Sequence, residues 1–188
     1  MKNLKTIALA FAVALTTLTA TAQTKKVDVK TSTINWVGKK VTGQHSGTVA
    51  LKDGALVFKK NVLKGGNFTV DMTTINATDL SGEYQGKLNG HLKADDFFGT
   101  EKFPTSTLVF KTIAAKGNDV YSVTADLTIK GITQPVTFDI TVKGNTATTA
   151  FNVDRTKYDI KYNSKSFFES IGDKAIYDEF ELTVNLNF

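Results

Sequence analysis

The sequence contains no cysteine, a single arginine, two histidines and two prolines. Without cysteine the chain cannot form a disulfide, a thiolate metal site, a cysteine nucleophile or a lipidated-cysteine anchor. Arg155 is the one arginine among 23 basic residues, and the lysines are scattered rather than clustered. Nucleic-acid-binding proteins usually carry a basic stripe with several arginines, so we expect no nucleic-acid partner. The common motifs of nucleophile elbows, phosphate loops and dinucleotide sites are also absent.

Long apolar runs are absent too, except near the N terminus. Two lysines precede an apolar run at positions 7–18, and Ala20–Ala22 has the small residues of a signal-peptide cleavage site. The run is shorter than the roughly 20 residues that a membrane-spanning helix needs. We therefore expect residues 1–22 to be a cleaved signal peptide and residues 23–188 to form one domain, periplasmic or secreted. Cleavage would lower the formal net charge from +5 to +3.

Alternation of apolar and polar residues dominates the rest of the chain. The clearest runs are Tyr121–Ile129, Val136–Val142 and Phe180–Phe188. A period of two is typical of strands with one buried face, and the spacing between runs fits about eight short strands. No βαβ pattern is present, which favours an antiparallel barrel or sandwich. The pattern alone leaves these two architectures open.

One segment, His91–Pro104, interrupts the alternation. Leu88 and Leu92 stand four residues apart, as on one face of a helix, and Gly99 is a suitable helix terminator. The segment predicts a short helical insertion that caps one end of the β-structure.

Large aromatic residues recur on the presumed inner face of the strands and in the helical insertion. In a solid sandwich they would be plain core, whereas in an eight-stranded barrel they could line an apolar cavity for one ligand. The candidate lining residues are Trp36, Phe68, Phe97, Phe98, Phe110, Tyr121, Phe138 and Phe151.

Polar candidates for a site are few. His91 and Asp95 could share one helical face, but no third metal ligand is marked, so we expect no metal. Asp95 and Asp96 are adjacent and would diverge on a helix, which argues against a proton-sharing pair. We therefore expect no catalytic residue and no enzyme activity.

Arg155 and His45 are the candidates for contact with a ligand head group at a barrel mouth. Arg155 could clamp an anionic group in bidentate fashion. The structural alternative is an ion pair of Arg155 with Asp154, Asp159 or Asp173.

Several motifs, taken in order, resemble the YceI family of exported, lipocalin-like, polyisoprenoid-binding proteins. The matching segments are Trp36–Gly38, Gly43–Val49, His91–Lys93, Asp95–Phe98, Phe103–Pro104, Leu127–Thr133 and Asp154–Arg155. Two departures are Ala94, where a serine is common, and Gln134–Pro135 after the Gly-Ile-Thr motif.

The resemblance implies an all-β fold, an eight-stranded antiparallel lipocalin-like barrel with the helical insertion over one end. It also implies binding of an isoprenoid, quinone or other long-chain amphiphile, for transport, storage or stress protection, with no cofactor other than a bound isoprenoid or fatty lipid. A homodimer stays an open alternative. The competing hypotheses are an outer-membrane barrel, a lipid- or quinone-modifying enzyme that uses His45 or His91, and a solid sandwich that binds proteins.

Overall fold

The computed structural model describes residues 21–168 and 172–188 of the 188-residue chain. Nearly all of the predicted signal segment, residues 1–20, therefore lies outside the described residues. The described residues form one α-helix, α1 (Gly82–Lys93), and short 3-10 helices at Arg155–Tyr158 and Gly172–Lys174. The strands are β1 (Gln23–Lys26), β2 (Thr33–Lys40), β3 (Gly43–Lys59), β4 (Val62–Ala77), β5 (Thr105–Gly117), β6 (Val120–Ile129), β7 (Ile132–Lys143), β8 (Thr146–Asp154) and β9 (Ile176–Asn187).

Strands β2 to β9 form a closed, eight-stranded antiparallel barrel. The order around the barrel is β3-β2-β9-β8-β7-β6-β5-β4, and pairing of β3 with β4 closes it. The short β1 pairs with the part of β3 that extends beyond β2, where Gln23 pairs with Phe58. The predicted eight-stranded barrel is confirmed, and the sandwich is wrong, because every barrel strand has two hydrogen-bonded neighbours.

The apolar row of each strand faces the barrel interior. In β6, Val123, Ala125, Leu127 and Ile129 are buried, and the residues between them are more accessible. The same alternation in β7 directs the side chains of Phe138 and Ile140 into the barrel interior. This orientation is opposite to the one that the outer-membrane alternative requires, in which apolar rows face lipid.

Two segments that have turn-forming residues belong to strands. In the sequence, Lys52–Gly54 and Lys64–Asn67 contain the glycine and the aspartate or asparagine that predict turns, but this prediction is wrong. β3 and β4 continue through both segments, with a register shift between Leu51 and Asp53. The chain reverses at Lys60 and Asn61, both with positive φ. The glycines that suggested turns lie inside long, bent strands.

Aromatic packing explains two of these glycines. A Cβ on Gly54 would lie 2.6 Å from Phe68 Cδ1, and a Cβ on Gly66 would lie 2.8 Å from Phe110 Cδ2. The missing side chains let two large rings reach the strand backbone, as glycine does at barrel corners. Phe68 and Phe110 then pack with ring centroids 5.6 Å apart.

The helical insertion is real, but its predicted bounds are wrong. α1 begins nine residues before His91 and ends at Lys93, and a series of turns then leads to Pro104. The low apolar content of residues 82–90 concealed the helix, because α1 lies on the surface and its one buried residue is Leu92. Within residues 21–168 and 172–188, no helix combines the length and apolar character needed to span a bilayer.

Side-chain amides attach α1 to the end of β4. Gln85 Nε2 donates to the carbonyl of Ala77 at 2.7 Å, and Asn89 Oδ1 accepts from the Ala77 amide at 2.8 Å. Asn89 Nδ2 also donates to Asn76 Oδ1 at 2.7 Å. The helix therefore docks on the rim mainly through hydrogen bonds, while its C-terminal end supplies apolar contact with the interior.

The packing around Gly65 and Gly66 predicts different effects on stability when each of these neighbouring glycines is replaced by alanine. Gly66→Ala should lower the free energy of unfolding by about 1–3 kcal/mol, because its methyl group overpacks against Phe110. In Gly65→Ala the new Cβ would lie 3.4 Å from Val57, an ordinary contact, so this control should be neutral or slightly stabilising. Urea denaturation would measure both, and equal effects would contradict the packing argument.

Candidate ligand-binding cavity

An apolar cavity occupies the barrel interior, with a volume of about 160 Å³. All eight barrel strands contribute lining residues, and Leu92, Phe97 and Phe98 close the end below α1. A cavity of about 150 Å³ with apolar walls stays dry and accepts apolar guests in other proteins.

Incomplete burial of inward-facing residues shows where the core is not filled. Phe110, Phe151, Phe180, Leu182 and Val184 all line the cavity, yet each is only partly buried. In a packed core such residues would be covered by neighbours. Their inner surfaces instead border empty space, so the barrel contains a lined cavity rather than a solid core.

Most of the predicted lining residues meet around this cavity. The predicted residues that line it are Trp36, Phe68, Phe97, Phe98, Phe110, Phe138 and Phe151. The rings pack on one another, with Phe138 and Phe151 stacked at 4.6 Å and Phe97 and Phe98 edge to face at 5.1 Å.

Tyr121 and His45 lie outside the lining. Tyr121 belongs to the inward row of β6 but stands next to the β5–β6 turn, at the barrel end opposite α1. His45 Nδ1 lies 2.8 Å from Asp79 Oδ2 on the rim near α1. Partial burial raises the pKa of Asp79. Hydrogen bonds from His45 and Ser46 lower it by more, so the pKa of Asp79 lies below its ordinary value. His45 thus fastens the β4–α1 connection.

The polar side chains of the interior wall are satisfied by the protein itself. Ser106 Oγ donates to the Thr128 carbonyl at 2.8 Å, and Thr149 Oγ1 donates to the Asp139 carbonyl at 2.7 Å. Both hydroxyl hydrogens are therefore engaged before any ligand enters. The cavity wall can therefore discriminate between ligands by shape and apolar contact more than by directed hydrogen bonds.

Arg155 lines the cavity, and its side chain is 2% exposed. Its guanidinium donates to three main-chain carbonyls: Nε to Tyr177 at 3.1 Å, Nη1 to Ile160 at 2.8 Å and Nη2 to Ile176 at 3.0 Å. Asp178 Oδ1 lies 3.6 Å from Nη2. Arg155 therefore joins the β8–β9 connection to the first residues of β9.

The environment of Arg155 is unfavourable for a free charge. Burial lowers the pKa of Arg155, although the carboxylates of Asp178 and Asp154 oppose this effect. The predicted partners Asp154, Asp159 and Asp173 make no direct ion pair with it in the described residues. Sequence reasoning missed the carbonyl acceptors because backbone contacts between distant segments leave no side-chain signal.

The other charged candidates are not brought together. Asp95 lies beyond the end of α1 and pairs with Lys102 at 2.5 Å, so it shares no helical face with His91. His91 Nε2 is 3.8 Å from Asp96 Oδ2, and its ring lies 4.3 Å from that of Tyr162.

The cavity and a shallow outer cleft share residues at the start of β9. Ile176, Tyr177 and Glu179 border the cavity and also a shallow outer cleft that contains Lys39, Lys165 and Glu181. The register shift between Gly38 and Lys40 of β2 lies opposite this part of β9. We call this shared border the mouth. Sequence reasoning did not find it, because irregular strand pairing has no local pattern.

Comparison with known proteins agrees with this architecture. A "UPF0312 protein" of Shewanella denitrificans is 36% identical over 84 residues, which are 45% of this chain and 42% of that protein. "Protein YceI" of Escherichia coli is 35% identical over 63 residues, 34% of this chain and 32% of that protein. The matches thus span less than half the length of these curated relatives.

Solved structures show the same fold. BcnA of Burkholderia cenocepacia superposes with a TM-score of 0.65 at 23% identity, over 85% of this chain and 98% of BcnA. A polyisoprenoid-binding domain of Saccharophagus degradans gives 0.62 at 14% identity, over 86% of this chain and 95% of that domain. The family model of the YceI-like domain matches residues 25–188, and the chain belongs to this family.

Proposed function

We propose that this protein holds the tail of an isoprenoid, quinone or comparable long-chain amphiphile inside the barrel. The observation that carries the proposal is the cavity lined by aromatic and aliphatic residues of all eight strands, whose inner surfaces remain uncovered. The described similarity to a polyisoprenoid-binding domain supports the same ligand class.

The energetics of apolar burial are sufficient for such binding. Each methylene removed from water contributes about 0.8 kcal/mol, so ten contribute roughly 8 kcal/mol. Association and ordering offset several kcal/mol of this gain. About 4 kcal/mol remains, which corresponds to roughly millimolar affinity, and each further buried methylene tightens binding about fourfold. Binding of a long tail needs no strong polar contact, in keeping with a wall whose hydroxyl groups are already engaged.

The head group that fits best is uncharged. Arg155 is the cationic side chain of the cavity wall in the described residues, and three carbonyls already occupy its donors. At the mouth, Glu179 and Glu181 would repel a carboxylate or phosphate. We therefore favour a quinone or alcohol over a fatty acid or prenyl phosphate.

The role we propose is carriage or storage without chemistry, in the periplasm or after secretion. His45 is engaged with Asp79 on the rim, and neither His45 nor His91 borders the cavity. The N-terminal sequence, with its basic start and apolar run, supports export.

Filling the cavity should abolish binding while the protein stays folded. Val184→Phe places a ring in the empty space from β9, so we expect at least a tenfold loss of affinity, equivalent to about 1.4 kcal/mol. Thr183→Phe points outward from the same strand and is the matched control. Titration with a long-chain quinone, followed by Trp36 fluorescence, would measure both, and unchanged affinity in Val184→Phe would contradict a ligand in this cavity.

Ligand class can be tested on the unmodified protein. Purification without detergent, followed by mass spectrometry, should reveal a co-purifying isoprenoid or quinone. In titrations, a long-chain quinone should bind more tightly than a fatty acid of equal chain length. Tighter binding of the fatty acid would show that a charged head group finds a partner and would contradict the assignment of Arg155.

Replacement of Arg155 should affect stability more than ligand affinity. Arg155→Lys loses the planar donor fork and leaves buried carbonyls unpaired, so we expect a loss of about 2–4 kcal/mol in the free energy of unfolding. Lys157→Gln, an exposed change on the same 3-10 helix, should have little effect. If Arg155→Lys kept full stability but lost quinone binding, Arg155 would be a ligand contact and not a structural clamp.

A further inference from the structure

The barrel interior is filled at the end opposite α1, which we call the far end. Five buried side chains there do not border the cavity, and each is at most 6% exposed. They are Leu56, Phe58, Leu63, Val123 and Ala147. Together with the partly buried Phe188, we call them the floor. Side chains covered to this extent are packed against their neighbours, so the cavity ends above the floor.

Aromatic and cationic contacts hold the floor together. The ring centroids of Phe58 and Phe188 are 5.8 Å apart, and Lys25 Nζ lies 5.4 Å and 5.0 Å from them. A cation over aromatic rings adds attraction to their packing. The Phe188 amide also donates to the Asn145 carbonyl at 2.9 Å, which fixes the last residue of the chain at the far end. An apolar tail that extends down the cavity therefore meets packed side chains.

The positions of the lining residues give the length of the cavity. On β8 the lining extends from Thr149 to Arg155, and on β9 it extends from Glu179 to Leu186 below the mouth. Barrel strands rise about 3.3 Å per residue and tilt by about 40°, so these six or seven steps cover roughly 15–18 Å along the barrel axis. Carbon–carbon bonds of about 1.52 Å advance an extended chain by about 1.25 Å per carbon. The cavity is therefore as long as a tail of about 12–14 carbons.

The volume of the cavity gives a similar number. A buried water molecule needs about 10–15 Å³ of such a cavity, and a methylene group takes about as much space as a water molecule. The volume of about 160 Å³ thus has room for about 11–16 such groups. Length and volume agree on a tail of about a dozen carbons.

Leu186 is the lining residue of β9 that lies nearest the floor. It is 4% exposed, and it pairs across the strands with Ala147 of the floor. Phe188 follows two positions later on the same face of the strand. The side chain of Leu186 therefore stands where the cavity ends and the packed region begins.

We propose that the barrel limits the length of the tail that it encloses to about 12 carbons, a dodecyl chain or three isoprene units, and that Leu186 sets this limit. The inference rests on the proposed lipid-binding function. A longer tail meets the floor and leaves its remaining carbons outside the cavity, where they add no apolar burial. The ligands that use the whole cavity are then short-tailed quinones and alcohols.

The experiment is a titration of the unmodified mature chain with straight-chain primary alcohols of 8, 10, 12, 14 and 16 carbons, followed by Trp36 fluorescence. Affinity should rise about fourfold per carbon as long as each added methylene is buried. Beyond about 12 carbons it should level off. Isoprenoid alcohols provide a second series, in which farnesol should bind more tightly than geraniol and geranylgeraniol no more tightly than farnesol.

Matched variants test the role of Leu186. Leu186→Ala removes three carbons beside the floor, so the limit should move to alcohols about two or three carbons longer. The milder Leu186→Val should move it in the same direction by about one carbon, and it serves if the alanine variant does not fold. Ile160→Ala is the control, because it removes three carbons from a fully buried site that does not border the cavity. Its limit should equal that of the wild type.

The outcomes separate the length limit from lipid binding itself. If affinity keeps rising about fourfold per carbon up to 16 carbons, the length limit is wrong although lipid binding stands. If no alcohol or quinone of any length binds, the proposed function fails as well. If affinity levels off as expected but the Leu186 variants keep the wild-type limit, another residue sets it and the assignment of Leu186 is wrong.

Discussion

Closure of the barrel through the β3–β4 pair is the constraint on which the rest of the structure depends. Closure leaves one face of every strand to fill a common interior. Large rings supply most of that filling, and they fit because Gly54 and Gly66 let Phe68 and Phe110 approach the backbone. The rings pack against one another from strand to strand and leave a gap. The cavity is therefore a consequence of how aromatic residues fill a closed sheet.

One buried side chain, Arg155, links the two ends of the β8–β9 connection. Its guanidinium donates hydrogen bonds to the carbonyls of Ile160, Ile176 and Tyr177, which lie on both sides of a long loop. Because the same residues begin β9, the clamp also sets the border of the mouth. Because these carbonyls engage the guanidinium donors, the cavity wall has no free cation in the described residues.

The cap closes the cavity at one end of the barrel. α1 is held to β4 by amide hydrogen bonds, while Leu92 and the phenylalanines after the helix cover the cavity. His91 connects the cap to Tyr162 of the β8–β9 connection by ring contact. The cap is therefore fixed both to β4 and to the β8–β9 connection.

The sequence predicts the strand pattern, the inward row of aromatics and the presence of a helical insertion, because all three depend on local periodicity. Its motifs also carried the family resemblance that distinguished a barrel from a sandwich. The bounds of α1, the role of the glycines in β3 and β4, and the positions of His45 and Tyr121 outside the cavity follow only from the three-dimensional packing. The same is true of the carbonyl contacts of Arg155 and of the position of the mouth beside β9. These features arise from contacts between segments far apart in the chain, and such contacts leave no period in the sequence.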